Sequence, residues 1–402
     1  MPLSRIVIRN ASVLTLDDRD TFLYPGTVVI ENDRIVAINE GYNDTLPLWE
    51  YLDTVWYPSI RSLTPTTAHT AALHSYITAL KSGTTTVNDM YRFVPSLASA
   101  AAVTGIRATL SNDVALPAHR LDTLADNLAS FAAVDGMEGG RVRCWLGVEW
   151  VPLADEALLK EVGRAKRALG TGVHIHLCES KSEVQDAAKR FGGKSPVRLA
   201  YEAGILGPDC VAAHCVHVSD DDIKLLAETG TSLGSGVLPL QKLLEAGCHN
   251  STDMFETLKL GSYMQRAVHQ DAELGTARQL LRMATTNGAK ALGLEDVGTL
   301  EVGKKADLIV LDLKRDMMFT PLLRGPPEER RKMLESHLVF GCNGTAVDTV
   351  IVDGRVVVEG RKVLGVDEEK VREDVEVLFE SLVSEMEKQS VKGNFEEEVE
   401  EE

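Results

Sequence analysis

Two hydrophobic rhythms divide the chain. Toward both ends, apolar and polar residues alternate. Near the start this covers residues 5–16 and 27–38; near the close it covers ADLIVLDL (306–313), TAVDTVIVDG (345–354) and RVVVEGRKV (355–363). A period of two belongs to half-buried strands. Gly26, Asn32 and Asp33 supply turn chemistry in the first region, and Asp353-Gly354 predicts a tight hairpin in the last. Because these stretches bracket everything else, residues 1–40 and 300–365 are expected to build one small β domain from both chain ends.

Residues 41–299 carry the second rhythm, short apolar strands alternating with helical segments. TTTVNDM (84–90), IRATLSN (106–112), VRCWLGVEW (142–150), VHIHLCES (173–180) and CVAAHCVHV (210–218) read as strands. Helices are expected up to about 104, at 121–134, at 154–169, up to about 204 and at 219–228. Nearly all-apolar strands alternating with helices predict a parallel α/β sheet buried on both faces. Five strands are visible, whereas a closed (β/α)₈ barrel needs eight. From 231 to 256 the rhythm fails: one helix-like piece (238–246) is expected and no strand. Helical pattern returns at 276–292. Val371, Val375, Leu378, Leu382 and Met386 then mark an amphipathic helix at 367–388, so 366–402 reads as an acidic C-terminal helix and solvated tail.

Composition narrows the function classes. With 44% hydrophobic and 25% charged residues over 402 positions, a mostly disordered chain is excluded. No apolar run approaches the roughly 20 residues of a membrane span. The opening MPLSRIVIRN has strand alternation rather than the basic head and apolar middle of a secretory leader, so a cytoplasmic protein is expected. The net charge is −18, but residues 367–402 hold 15 acidic against 4 basic residues and so account for most of it. An acidic chain without a basic stripe is a poor nucleic-acid binder. Cys144, Cys178, Cys210, Cys215, Cys248 and Cys342 form no CxxC pair and are expected as reduced thiols.

Candidate chemistry lies on two of the strands. His174 and His176 alternate within VHIHLCES and so share a face, with Glu179 at the strand's C-terminal end. His214, followed by His217, closes the next strand. Active sites of α/β barrels form at that end, so His176, Glu179 and His214 could converge there. Neutral imidazoles with a carboxylate suit a divalent-metal hydrolase. The bland alternative is that an isolated His-x-His is more often two packed imidazoles than a metal pair. His69, His74, His119, His269 and His337 show no partner pattern and are expected at the surface. Trp49 and Trp56 are expected to pack.

GTLEVGKKADLIVLDL (298–313), preceded by MATTNGAKALGL (283–294), resembles the closing signature of the amidohydrolase superfamily. LPLWEYLDTVWYP, VHIHLCES, VAAHCVH, SGVLPLQKLLEAG and NSTDMFETLKL are similar to the branch of S-adenosylhomocysteine/methylthioadenosine deaminases and triazine chlorohydrolases. The resemblance implies a (β/α)₈-type barrel flanked by a small β domain. It also implies one divalent metal, zinc by preference, and a water attacking a ring carbon that carries an amine or halide. His176 would be a metal ligand, Glu179 would carry protons, and His214 would orient the water. The implied activity is hydrolysis of a non-peptide carbon–nitrogen bond, the deamination of a small heterocycle or purine derivative.

The chain also departs from that pattern. The family's first barrel strand carries a His-x-His metal pair, but here INEGYNDTLPLWEYL runs straight from the N-terminal ribbon into the following motif. The last strand's metal-binding Asp is missing from LLEAGCHNSTDMFE, and the strand between ETG and SLGSG is expected to be gone as well. The barrel should therefore be incomplete, with outer strands near 84–90 and 210–218 that invite self-association. Of four family ligands only His176 remains, so tight metal binding is not expected unless His174 substitutes. The competing expectation is a truncated or catalytically silent member of the family.

Overall fold

A computed structural model describes residues 5–14, 22–31, 34–38, 57–233, 252–313 and 325–378. Trp49, Trp56, the 238–246 segment, Cys248 and the tail beyond 378 lie outside the described residues. The chain divides into two units, 1–58 and 59–402. The first contains an antiparallel sheet of β1 (Arg5–Leu14), β2 (Phe22–Glu31) and β3 (Arg34–Ile38) in that order. Arg5 pairs with Glu31 and Glu31 with Arg34, so two hairpins use the alternating pattern seen in the sequence.

The second unit is built on parallel strands. These are β4 (Thr86–Met90), β5 (Arg107–Ser111), β6 (Val142–Cys144), β7 (Leu146–Val148), β8 (Val173–Leu177), β9 (Cys210–His214) and β10 (Ser232–Leu233). Their order is β4-β5-β6 and β7-β8-β9-β10. The expected strand at 142–150 is shorter and changes partner at Trp145. Val142 faces Ala108 on β5, whereas Leu146 faces Val173 on β8. Such stagger is the shear that curls a parallel sheet toward a barrel.

One expectation is corrected. The strand near 210–218 is not an outer one: Ser232 and Leu233, the first residues of SLGSG, pair in parallel with Val211 and Ala212. Two residues are too few to show a period, which is why the sequence pattern hid β10. The outer strands among the described residues are therefore β4 and β10, and β9 is interior. A cavity of about 480 Å³ is lined from both, by Thr84, Thr86 and Asn88 on one side and Leu233 on the other, with Val211 and Leu294.

Helices 94–104, 124–134, 156–169, 181–190, 196–202 and 220–229 follow the strands as expected. Most begin at a side-chain cap: Thr123, Asp155, Ser180, Ser195 and Ser219 each accept a backbone N–H of the first turn. Helix 65–81, unforeseen, starts from a Thr64 capping box with Pro65 in its first turn. Its Ala68, Ala72, Ile77 and Leu80 join Leu97, Ala101, Leu110 and Val142 in one core. A second core gathers Leu146, Val148, Leu159, Val162, Ile175 and Ala212.

The antiparallel sheet of β11 (Leu308–Leu311), β12 (Val347–Val352), β13 (Arg355–Glu359) and β14 (Lys362–Val363) completes this unit and contributes Val347, Val350 and Val358 to the first core. Val352 pairs with Arg355 across the foreseen turn, in which Asp353 and Gly354 have φ of 54° and 76°. Two consecutive positive φ values are what a type I′ hairpin demands. Beneath that turn, Arg107 donates to Asp307 at 2.6 and 2.9 Å and to Asp353 at 3.3 Å, tying β5 to the sheet. Among the described residues, Cys144, Cys178, Cys210, Cys215 and Cys342 are buried and unbridged. No helix among them is long and apolar enough to cross a membrane.

Candidate functional site

The C-terminal ends of β8 and β9 bring the expected residues together. Val173–Leu177 pairs in register with Cys210–His214, so His174 stands beside Val211, His176 beside Ala213 and Leu177 beside His214. The His174 and His176 rings lie 5.4 Å apart between centroids, and those of His176 and His214 lie 5.2 Å apart. Glu179 Oε1 is 3.7 Å from His214 Nε2. Alternation on β8 and strand-end placement thus yield one ladder of three imidazoles with a carboxylate at its rim. Backbone strain marks the same end. Cys178, His214 and Cys215 hold φ of 53°, 66° and 53°, a region unfavourable to non-glycine residues.

Electrostatics sharpen the site. His176 Nδ1–H donates to the Glu149 carbonyl oxygen at 2.7 Å, which leaves Nε2 as its free lone pair. Burial, with His176 beside it, pushes His214 down to about 3. Burial and the same neighbours bring His174 to about 3, so both rings are neutral near pH 7. Burial raises the Glu179 carboxyl above its ordinary range, against the pull of His176, and Glu149 is raised likewise.

Several polar groups that no motif signalled complete the surroundings. Glu149 follows β7 directly. Asp113 is 2% exposed, and burial, with Glu149 and Asp122 nearby, pushes it up to about 9. Asp122 is held by Arg92 at 3.1 Å and by Asn112 at 2.7 Å. Glu149 had one sequence signal, a lone acid inside the apolar run LGVEWVPL. Among the histidines expected at the surface, His74 and His269 are exposed. His69 is half-buried, with Nδ1 3.1 Å from the Ser96 carbonyl oxygen, and His119 and His337 are half-buried too. These three are corrections, because the helices and loops bearing them pack inward.

A resident zinc requires three or four donors converging on one point. Among the described residues no three His, Cys, Asp or Glu side chains do so. The His174 and His176 ring planes are tilted by 38° to each other, and those of His176 and His214 by 31°. His174 Nδ1 is buried without a hydrogen-bond partner among the described residues, so a donor exists there, but it does not complete a set. The described donors do not fit a metal cage.

The profile of the amidohydrolase family matches residues 36–357. The 5′-deoxyadenosine deaminase of Methanosarcina barkeri is 32% identical, covering 95% of this chain and 99% of that protein. That alignment runs over 440 residues, more than the 402 of the whole chain, so the relative holds positions with no counterpart here. The 5-methylthioadenosine/S-adenosylhomocysteine deaminase of Caldanaerobacter subterraneus subsp. tengcongensis is also 32% identical, over 92% of this chain and 89% of that protein. In fold, the chain resembles a zinc-bound adenosine deaminase from Xanthomonas campestris, with a TM-score of 0.74 at 21% identity, covering 94% of this chain and 98% of that one. It also resembles a zinc complex of atrazine chlorohydrolase from Arthrobacter aurescens TC1, with a TM-score of 0.70 at 20% identity, covering 92% and 99%.

Proposed function

The chain belongs to the amidohydrolase family, and from that premise we propose that it hydrolyses a non-peptide carbon–nitrogen bond, removing the amine of an adenosine-type nucleoside. The observation that carries this reading is the Glu179–His214 pair beside His176 at the C-terminal end of the sheet. In the reaction, water adds to the ring carbon bearing the amine and the carbon–nitrogen bond breaks. One proton leaves on nitrogen as ammonia, and the other stays on the ring. Neutral His214 can hold the attacking water by accepting its hydrogen. Glu179, whose burial favours the protonated form, can deliver a proton to the departing nitrogen. The resemblance would make His176 a metal ligand, and its Nε2 lone pair is free because Nδ1–H is committed to the Glu149 carbonyl oxygen.

The same reading places the protein in the cytoplasm. It keeps 1–40 and 300–365 as one small β domain beside the 41–299 barrel-type domain and the 366–402 tail. The outer edges of β4 and β10 support self-association, to be read by light scattering, where a strictly monomeric protein would speak against it.

The test is incubation of the full chain with 5′-deoxyadenosine, methylthioadenosine and S-adenosylhomocysteine, with and without added zinc, following ammonia release. Equilibrium dialysis measures zinc in parallel. Turnover that His214→Ala abolishes supports the reading, and sub-stoichiometric zinc is expected. Stoichiometric zinc that His174→Ala removes would mean that His174 rebuilds the site. Absence of turnover in every condition would favour the second reading, a family member without chemistry.

A further inference from the structure

Glu183 has no part in the chemistry just described, yet it is fully buried at 0% exposure, three residues into helix 181–190. An acid at this place normally reaches back to the backbone N–H of the capping residue, here Ser180. Glu183 reaches further. Its Oε1 accepts the Cys178 N–H at 2.8 Å and its Oε2 accepts the Glu179 N–H at 2.7 Å, while its own N–H donates to Ser180 Oγ at 3.2 Å. Both oxygens thus accept from the turn between β8 and the helix, with the Trp150 side chain as a further partner of the carboxyl. That turn is the strained one, with Cys178 at φ 53°. Two bonds to adjacent N–H groups fix the orientation of the peptide planes on both sides of Cys178, and so the direction in which the Glu179 side chain departs.

We propose that Glu183 is a positioning residue: its two carboxyl oxygens clamp the 178–179 turn and thereby aim the Glu179 carboxyl at His214. The role rests on the deaminase reading for its effect on rate, but the clamp itself can be observed separately. A residue serving only as a helix cap would act through stability, as Ser180 does through the Glu183 N–H. A positioning residue acts on the geometry of Glu179, where displacement by about 1 Å can cost about 100-fold in rate.

Glu183→Gln is the decisive variant because it keeps the shape but turns one acceptor into a donor facing an N–H. Ser180→Ala is the comparison, since it weakens the cap and leaves the carboxyl in place. Three readouts are taken on the full chain: amide exchange at Cys178 and Glu179, the His214 ring signal in a proton–carbon spectrum, and kcat and KM with adenosine-type substrates. For Glu183→Gln we expect faster exchange at both amides with β9 amides unchanged, and a displaced His214 signal. We also expect kcat to fall about 10- to 100-fold with KM within about twofold. Ser180→Ala should lower the melting temperature and leave kcat within about twofold. Equal kcat losses in the two variants, or an unchanged kcat in Glu183→Gln, would overturn the proposal. If the wild-type chain has no turnover, the deaminase reading fails by itself and the first two readouts judge Glu183. Unchanged exchange or an unmoved His214 signal then overturns the clamp.

Discussion

Arg107, at the N-terminal end of β5, and Glu179, just past the C-terminal end of β8, show opposite treatments of charge within one parallel architecture. Arg107 is 2% exposed and answered by Asp307, itself 3% exposed, through two short parallel bonds, with Asp353 as a third partner. Every charge there is compensated, and the cluster joins β5 to the β11–β14 sheet. At the other end, Glu179, Glu149 and Asp113 are all driven toward their protonated forms, and His174 and His214 are driven toward neutrality. The closest Glu179–His214 approach is 3.7 Å, longer than a hydrogen bond. A saturated ion pair has nothing left to offer a ligand, whereas under-partnered groups keep donors and acceptors in reserve. Of the two poles, the N-terminal one reads as a staple and the C-terminal one as a site.

The contrast can be broken first at the staple. Arg107→Ala should be strongly destabilising, by about 3–5 kcal/mol, because it strands the buried Asp307 carboxylate. Chemical denaturation should show this as a lower midpoint, and a loss below about 1 kcal/mol would deny the staple its role.

At the site, Asp113 should act in the reverse sense. Its folded-state carboxyl, pushed up to about 9, binds a proton far more tightly than the ordinary 3.8 of an unfolded chain. Its favourable contribution is therefore complete below about pH 4 and is lost progressively as pH rises toward 9. Asp113→Asn should remove that slope and stabilise the protein at pH 8 relative to wild type, on the order of a few kcal/mol. Parallel melts at pH 5 and pH 8 decide it, and an equal effect at both would mean that Asp113 is ionised.

The intervening strand gives a smaller effect. A Cβ on Gly147 would come within 1.9 Å of the Asn112 carbonyl oxygen, so Gly147→Ala should cost about 1–3 kcal/mol by forcing β7 away from the loop after β5. Removal of the Asp155 cap, whose carboxylate accepts the Leu158 N–H at 2.8 Å, should cost only about 1 kcal/mol. If Asp155→Ala rivals Arg107→Ala in denaturant midpoint, the ranking of pole over surface is wrong.

Much of this was legible in the sequence because it depends on local rules. The Asp353-Gly354 turn needs two residues that tolerate positive φ, and β4, β5, β8 and β9 stand out as strand-like runs, while β6 and β7 read as one. His176, Glu179 and His214 were found because strand-end placement follows from counting along two adjacent strands. Helix 65–81 escaped because half of its buried face is alanine, although Thr64-Pro65 and Thr67 announced its start. β10 has too few residues for any pattern. Asp113 and Glu183 were invisible, and Glu149 nearly so, for another reason. A buried acid and a solvated acid are the same letter, and only the packing of distant segments decides between them.

The change of partner at Trp145 bears on how the protein is made. Residues 142–144 complete a three-stranded sheet with β4 and β5, whose strands are already synthesised, while 146–148 await β8. At roughly 5–20 residues per second, a ribosome takes on the order of seconds to deliver residues 173–177. During that interval the nascent chain carries a strand paired along its first half only. Trp145 stands at the junction with its N–H already committed to the Leu110 carbonyl oxygen, while the Leu146 N–H still lacks the Gly172 carbonyl oxygen. The open half is a template for any other extended segment nearby, so slow translation between 148 and 173 should raise the fraction of chains that misassemble, and fast translation should lower it.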